Sequence, residues 1–167
     1  LMKRKEIISM ENKKRTTKSE YSNDSMSLLK GADRVRKRPA VIFGSDGLDG
    51  CEHSVFEIIS NSIDEAREGY GKKIVITRFL DHSVEVQDFG RGIPVDYNQR
   101  EKCYNWELVF CDLYAGGKYD TNDGGSYEYS LGLNGLGLCA TQYASEYMEA
   151  EIHTGGFCYE LNFKAGK

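Results

Sequence analysis

Several features that would assign this sequence of 167 residues to other classes of protein are missing from it. No stretch approaches the roughly 18 consecutive apolar residues of a membrane-spanning helix, and the Lys-rich residues 1–18 lack the apolar core of a secretory signal. The five cysteines are odd in number and include no C-x-x-C pair, so neither a disulfide framework nor a zinc site is indicated. No repeat of about 20–50 residues is visible. These absences predict one cytoplasmic domain with reduced thiols and no membrane partner.

Charge is distributed unevenly along the chain, whose net charge is −4. Residues 1–38 contain 12 Lys and Arg against 5 Asp and Glu, and the remainder contains 10 against 21. We expect residues 1–26 to form a basic mobile arm, because they show no apolar period. Such an arm is consistent with contact to nucleic acid or an acidic partner, and equally with a solvated terminus. The acidic body argues against a main DNA-gripping surface.

The mixture of helical and strand patterns predicts an α+β fold with helices on one face of a mixed, mostly antiparallel sheet. The strongest helix prediction is a core helix over Cys51–Glu68, where apolar residues recur at helical spacing. Shorter helices are expected at Ser27–Arg38, which Pro39 would end, at Asn105–Ala115 and at Gly135–Ser145. Strands are expected at Lys73–Phe79, Ser83–Asp88, Tyr147–His153 and Phe157–Phe163, the last two as a hairpin. Residues 116–137 contain seven glycines and predict a flexible loop.

A polar stripe runs along the apolar helix. Glu57, Asn61 and Asp64 follow the spacing i, i+4, i+7 and fall within roughly 60° of arc. A solvent-facing side explains such a stripe, but the apolar residues on both of its sides favour burial under a polar ligand. Hydrated Mg²⁺ with phosphates fits, because Mg²⁺ prefers oxygen ligands such as the Asn61 carboxamide. Glu57 could then polarise an attacking water, oriented by His53 one turn earlier.

A second motif, D-F-G-R-G-I-P (Asp88–Pro94), places a carboxylate at the end of a strand. A plain turn explains its two glycines. The letters D-F-G also occur in protein kinases, but no H-R-D loop or V-A-I-K strand accompanies them, which excludes that class.

Three motifs together resemble the ATP-binding Bergerat fold of the GHKL superfamily: E-I-I-S-N-S-I-D (Glu57–Asp64), D-F-G-R-G-I-P (Asp88–Pro94) and G-L-N-G-L-G (Gly132–Gly137). Their order and separation match as well. The flanks Gly31–Pro39, Asn61–Ala66 and Ala115–Asp120 resemble the B-type subunits of bacterial type II DNA topoisomerases, gyrase or topoisomerase IV. The resemblance covers about residue 21 to the end, and assigns residues 27–167 to a GHKL-type ATP-binding domain.

The resemblance implies a catalytic role for Glu57 as general base with His53 as its helper, and Asn61 as the magnesium ligand. Asp88 would be a buried acceptor for the adenine amino group, since an unpaired buried acceptor costs about 1–3 kcal/mol and so rejects other bases. The remaining pocket residues are Asp64, Glu65, Arg91, Gly92, Ile93 and Pro94, of which Arg91 would cover the adenine slot and pair with Glu65.

Other elements of the implied ATP site come from the glycine-rich loop and the arm. Lys118 and Tyr127 would belong to a mobile lid, and Tyr21 would reach the nucleotide of a second protomer. Amides at Gly135 and Gly137 would approach phosphates at a helix N-terminus. The loop residues assigned to the nucleotide are Gly132, Leu133, Asn134, Gly135, Leu136 and Gly137.

Four residues depart from the family pattern: Phe89, Glu128, Leu131 and Asn134. All lie in the lid or around the pocket, so they leave room for a nucleotide-gated dimerisation module with little hydrolysis as the alternative to an ATPase. A histidine kinase or mismatch-repair relative is disfavoured by the flanks Gly31–Pro39 and Ala115–Asp120.

The resemblance also implies partners. These are ATP and Mg²⁺, DNA and a topoisomerase A-type subunit in the full-length enzyme, a second copy in the presence of nucleotide, and competitive inhibitors of the gyrase pocket. We expect the domain to be incomplete at its C-terminal end, which precedes the threonine-bearing strand of relatives.

Overall fold

The computed structural model describes residues 29–113 and 136–167. Five helices fall in this part of the chain: α1 (Ala32–Arg36), α2 (Pro39–Phe43), α3 (Leu48–Arg67), α4 (Asn105–Cys111) and α5 (Gly137–Ala144). Six strands accompany them: β1 (Ile74–Arg78), β2 (Val84–Asp88), β3 (Tyr97–Asn98), β4 (Cys103–Tyr104), β5 (Tyr147–Thr154) and β6 (Phe157–Lys164). No described helix is long and apolar enough to cross a membrane.

The strands pair as three antiparallel ladders of two strands each within the described residues, β1 with β2, β3 with β4 and β5 with β6. The α+β class is confirmed, but the predicted single sheet is not formed by ladder hydrogen bonds among these residues. The segment after β2 explains the interruption. Gly92 has φ of +72° and Pro94 lacks a backbone donor, so this segment passes β5 as a loop.

The region around Pro39 differs from its prediction. The helix expected over Ser27–Arg38 is described only as α1, and its expected end before Pro39 is present. Pro39 itself starts α2, a helix that the sequence analysis does not predict. The reason is that proline fits the first helical position, where its fixed φ is suitable and its missing N–H would have no helical partner.

The first hydrophobic core joins α1, α2 and α5. Val35, Phe43, Cys139, Ala140 and Tyr143 are buried together there with Leu113. The Arg36 guanidinium reaches the end of α5 and donates to the backbone carbonyls of Tyr143, Ala144 and Ser145. Carbonyls at a helix C-terminus lack helical partners and attract cations, so Arg36 closes α5. At least one basic residue of the first 38, Arg36, is therefore bound within the domain itself.

The second core lies between α4 and the inner face of the β5–β6 hairpin. Phe110 stacks on Phe163 with ring centroids 5.3 Å apart, and Ile152 and Val95 are buried beside them. The opposite face of the hairpin carries exposed polar residues. The predicted hairpin is present, and its turn consists of Gly155 and Gly156, both with positive φ, because Thr154, expected in the turn, pairs with Phe157 in the ladder.

The long helix α3 agrees with its prediction in extent but not in burial. Its buried residues are Gly50, Ser60 and Ser62, whereas Phe56 is 53% exposed. Gly50 is buried against Ser45 and Phe43, and Ser62 is buried where α3 contacts Asp88 at the end of β2. The predicted core helix therefore has its apolar residues Val55, Ile59, Ile63 and Ala66 half-buried rather than buried within the described part of the chain.

Candidate nucleotide site

The polar stripe on α3 brings His53 and Glu57 together as the sequence predicts. His53 Nε2 lies 3.1 Å from Glu57 Oε1, one helical turn away. The His53 ring packs edge-on to the Phe43 ring, with centroids 6.0 Å apart, so the imidazole is held from its other side. Both side chains remain partly exposed, at 44% and 27%. A carboxylate in this position can accept a proton from water while its neighbour fixes its orientation.

Glu57 also lies against the start of α5. A Cβ added at Gly137 would lie 2.7 Å from the Glu57 Cβ, closer than side-chain atoms approach one another. Thr141 Oγ1 donates to the Ser54 carbonyl at 3.1 Å, which holds α3 and α5 together. Gly137 is therefore required by the close packing of Glu57, a reason that is separate from the phosphate contact implied by the resemblance.

Farther along α3, Asn61 is exposed, and Asp64 lies 3.7 Å from the Arg67 guanidinium. The stripe thus offers the carboxamide and carboxylate oxygens of Glu57, Asn61 and Asp64 on one side of the helix. These are hard oxygen donors, the type that Mg²⁺ prefers.

Asp88, at the end of β2, is held by two hydrogen bonds. Ser62 Oγ donates to Asp88 Oδ2 at 2.8 Å, and the Gly90 amide donates to Asp88 Oδ1 at 3.0 Å. Because a carboxylate offers about four acceptor positions, both oxygens can still accept another donor. The expectation that Asp88 is buried was wrong within the described residues. The residue is exposed, since the contact with α3 covers only one of its sides.

Glu65 and Arg91 form the pair expected from the resemblance. Arg91 Nε and Nη2 each donate to a different Glu65 oxygen at 2.8 Å, and the Arg91 amide donates to Oε1 at 2.8 Å. The guanidinium also stacks on the Tyr70 ring, 3.6 Å from its centroid. Hydrogen bonds from the Arg91 side chain hold the pKa of Glu65 below its usual range, against the opposing effect of desolvation.

The loop from Gly92 to Pro94 contacts both the site and the core. A Cβ at Gly92 would lie 2.5 Å from the His153 carbonyl oxygen, so glycine is needed here for the approach to β5. Ile93 is half-buried and packs on the second core, and Pro94 is exposed. The assignment of Ile93 and Pro94 to an adenine slot remains a prediction.

Several predicted site residues lie outside the described residues: Tyr21, Lys118, Tyr127, Gly132, Leu133, Asn134 and Gly135. Leu136 is described and packs against the first core just before α5.

Three residues that shape this site were not predicted from the sequence: Ser62, Tyr70 and Gly90. Ser62 is buried and orients Asp88, and Tyr70 lies under Arg91. A Cβ at Gly90 would lie 3.0 Å from Glu65 Oε1. Ser62 lies inside the motif Glu57–Asp64, and a polar residue there on the buried side of the helix could have indicated a buried hydrogen bond. The Tyr70 contact gives no local signal, because it depends on tertiary packing.

Comparison with known proteins identifies the family of this chain. The model of the family described as histidine kinase-, DNA gyrase B-, and HSP90-like ATPase matches residues 48–166. Since the match covers most of the chain, the chain belongs to this ATPase family.

Within the family the chain is similar to the B-type subunits of type II topoisomerases. It is 44% identical to the B subunit of DNA gyrase from Treponema denticola over 150 residues, 90% of this chain and 23% of the relative. Against the B subunit of DNA topoisomerase 4 from Staphylococcus aureus it is 41% identical over 146 residues, 87% of this chain and 21% of the relative. The chain therefore spans less than a quarter of the length of these relatives.

A solved structure matches as well. The crystal structure of the 43K ATPase domain of Thermus thermophilus gyrase B in complex with an aminocoumarin superposes with a TM-score of 0.67 at 29% identity. The match covers 81% of this chain and 32% of that chain. The predicted GHKL-type fold and the resemblance to gyrase and topoisomerase IV subunits are confirmed.

Proposed function

We propose that this chain is the ATP-binding and ATP-hydrolysing part of a type II DNA topoisomerase. The observation that carries this proposal is the hydrogen-bonded His53–Glu57 pair on α3. Glu57 packs against the start of α5, and Ser62 of the same helix α3 orients Asp88. A base, a helix N-terminus for phosphates and an acceptor for adenine are thereby arranged around one helix.

In this proposal Asp88 recognises adenine. Ser62 and the Gly90 amide each donate a hydrogen bond to one of its two oxygens, so the carboxylate is held in one orientation. Each oxygen keeps a further acceptor position, which the adenine amino group would use. Arg91, held by Glu65 and Tyr70, forms the rim of the same pocket. The ATPase domain of Thermus thermophilus gyrase B forms a complex with an aminocoumarin, and we propose that such inhibitors compete with ATP for the pocket of this chain.

Glu57 would take a proton from the water that attacks the terminal phosphate, and His53 would keep its carboxylate oriented. Asn61 would hold Mg²⁺, to which the oxygen donors of the stripe are suited. Mg²⁺ supplies charge neutralisation for the phosphates. Lys118, Tyr127 and the residues Gly132–Gly137 would complete the phosphate side, and Tyr21 would reach the nucleotide of a second protomer.

For the whole protein we infer nucleotide-driven dimerisation, DNA strand passage and association with an A-type subunit, in a cytoplasmic location. The similarity to gyrase and topoisomerase 4 subunits supports these partners. A nucleotide-gated dimerisation module with little hydrolysis remains the second candidate, favoured by Glu128 and Leu131 at positions where the family pattern differs.

Replacing Asp88 by asparagine tests adenine recognition. Asn can present an amino group to the adenine amino group, so we expect ATP affinity to fall by about 1–3 kcal/mol while the fold persists. Titration calorimetry of ATP with Mg²⁺ measures this. The matched control is Asp81→Asn at the other end of the β1–β2 hairpin, where Asp81 bonds only locally to Ser83. Equal ATP affinity of the Asp88 variant and the unsubstituted chain would contradict the adenine assignment.

A further inference from the structure

A cluster of potential metal ligands lies on the outer face of the β5–β6 hairpin, next to its turn. Glu151, His153 and Cys158 each offer one ligand atom, and these atoms all lie within 4.8 Å of one another. His153 Nε2 lies 2.5 Å from Glu151 Oε1 and 3.9 Å from Cys158 Sγ. All three residues are exposed.

The ladder register creates this cluster. His153 is the cross-strand partner of Cys158, and Glu151 is the partner of Glu160. Cross-strand partners share a face, and residues i and i+2 of one strand share it too, so all four side chains project from the side opposite the buried Ile152. The hairpin therefore holds the donors in place before any ion arrives.

The donor atoms suit zinc. An imidazole nitrogen, a thiolate sulfur and a carboxylate oxygen form the N/S/O set that Zn²⁺ binds with tetrahedral geometry. With Zn–N of about 2.0–2.1 Å and Zn–S of about 2.3 Å, the two ligand atoms should be separated by roughly 3.6 Å, near the present distance between Nε2 and Sγ. An ion bound between Glu151 and His153 would replace their hydrogen bond, so the distance between Glu151 Oε1 and His153 Nε2 would increase from 2.5 Å.

The charges of the cluster are unfavourable without a cation. Glu151 and Glu160 oppose each other directly, and like charges in that arrangement destabilise an antiparallel pair. A divalent cation would neutralise these carboxylates and relieve the repulsion between them.

We propose that Glu151, His153 and Cys158 form a zinc site with three protein ligands and a water in the fourth position. The site uses softer donors than the Asn61 stripe, so Mg²⁺ should not compete for it. The zinc proposal does not rest on the proposed ATPase activity, although Arg91, at the rim of the proposed nucleotide pocket, lines the same cavity as His153 and Cys158. Local sequence spacing does not reveal it, because Cys158 belongs to no C-x-x-C pair and meets His153 only through the hairpin register.

Metal titration of the full 167-residue chain tests the site. Zn²⁺ is titrated in competition with a chromophoric chelator, with Mg²⁺ in large excess, and Co²⁺ serves as a spectroscopic probe. We expect one ion per chain and a thiolate-to-cobalt charge-transfer band. Cys158→Ser should remove that band, and both it and His153→Gln should weaken Zn²⁺ binding by more than about tenfold.

Two variants serve as matched controls. Cys51→Ser removes another exposed free thiol, and His82→Gln removes another exposed imidazole. Both should bind Zn²⁺ as the unsubstituted chain does. The proposal is overturned if no ion binds stoichiometrically, if Cys158→Ser and His153→Gln bind normally, or if Cys51→Ser loses the band. A zinc-dependent doubling of mass in sedimentation would equally reject a site within one chain.

Discussion

At the scale of single residues, the site depends on side chains that hold other side chains. Ser62 and Gly90 fix Asp88, His53 fixes Glu57, and Glu65 with Tyr70 fixes Arg91. The polar groups that would meet a ligand are therefore oriented in advance, which reduces the ordering cost of binding.

The Glu65–Arg91 pair allows a prediction about stability and pH. We expect Arg91→Gln to lower the free energy of unfolding by about 1 kcal/mol at neutral pH, because the pair is bidentate but half exposed. Since the pKa of Glu65 is lowered in the folded protein, the pair contributes fully above the usual glutamate value of about 4.3. The contribution is lost as the pH falls through the lower folded value.

Urea unfolding at a series of pH values measures this difference. The gap between the unsubstituted chain and Arg91→Gln should narrow in acid, leaving the part that comes from stacking on Tyr70. The control Lys37→Gln removes a more exposed pair with Asp33 and should change stability by less than about 0.5 kcal/mol. A gap that stays constant or widens as the pH falls would be inconsistent with the assigned pair.

At the scale of elements, the contact between α3 and α5 determines where the proposed base lies. Glu57 packs against Gly137, and Thr141 bonds to the Ser54 carbonyl. Arg36 fixes the other end of α5 by binding its last carbonyls. The helix that would receive phosphates is thus anchored at both ends.

Gly137→Ala tests this contact. Alanine normally stabilises a helix by about 0.5–1 kcal/mol relative to glycine. Here we expect a loss of about 1–3 kcal/mol instead, because the new Cβ would overlap Glu57. The double variant Gly137→Ala with Glu57→Gly removes the Cβ at position 57, so its loss should be smaller than the sum of the two single losses, as denaturant unfolding can measure. Simple additivity of the two substitutions would show that the contact is not tight.

Most elements could be predicted from sequence periodicity, and the contacts between them could not. The helical pattern around Val55 and Ile59 and the alternation in β2 and β5 identify their elements, as does the double glycine of the β5–β6 turn. The helix α2 was not predicted, because a proline can end one helix and can equally occupy the first position of the next. The burial of Ser60 and Ser62 depends on which elements pack on α3, and the local sequence does not contain that information.

At the scale of the whole molecule, the proposed site contacts both cores, because Glu57 packs against the start of α5 and Ile93 packs on the second core. The first joins α1, α2 and α5, and the second joins α4 to the β5–β6 hairpin. The three motifs could be recognised from the sequence because they resemble one family in the same order, and the binding of ATP by their residues stays a prediction. The lid and arm residues stay predictions, since they lie outside the described residues.

Glu57→Gln is the most direct test of the central claim that this molecule binds ATP and hydrolyses it through a general base on α3. ATP binding by calorimetry and phosphate release per bound ATP are measured on the same preparations of both chains. Binding should stay within severalfold, because glutamine keeps the shape of the side chain. Hydrolysis per bound ATP should fall by about 100-fold or more, the contribution of a positioned base. Lost binding with unchanged hydrolysis per bound ATP would make Glu57 a structural residue, and no hydrolysis by the unsubstituted chain would contradict the ATPase assignment.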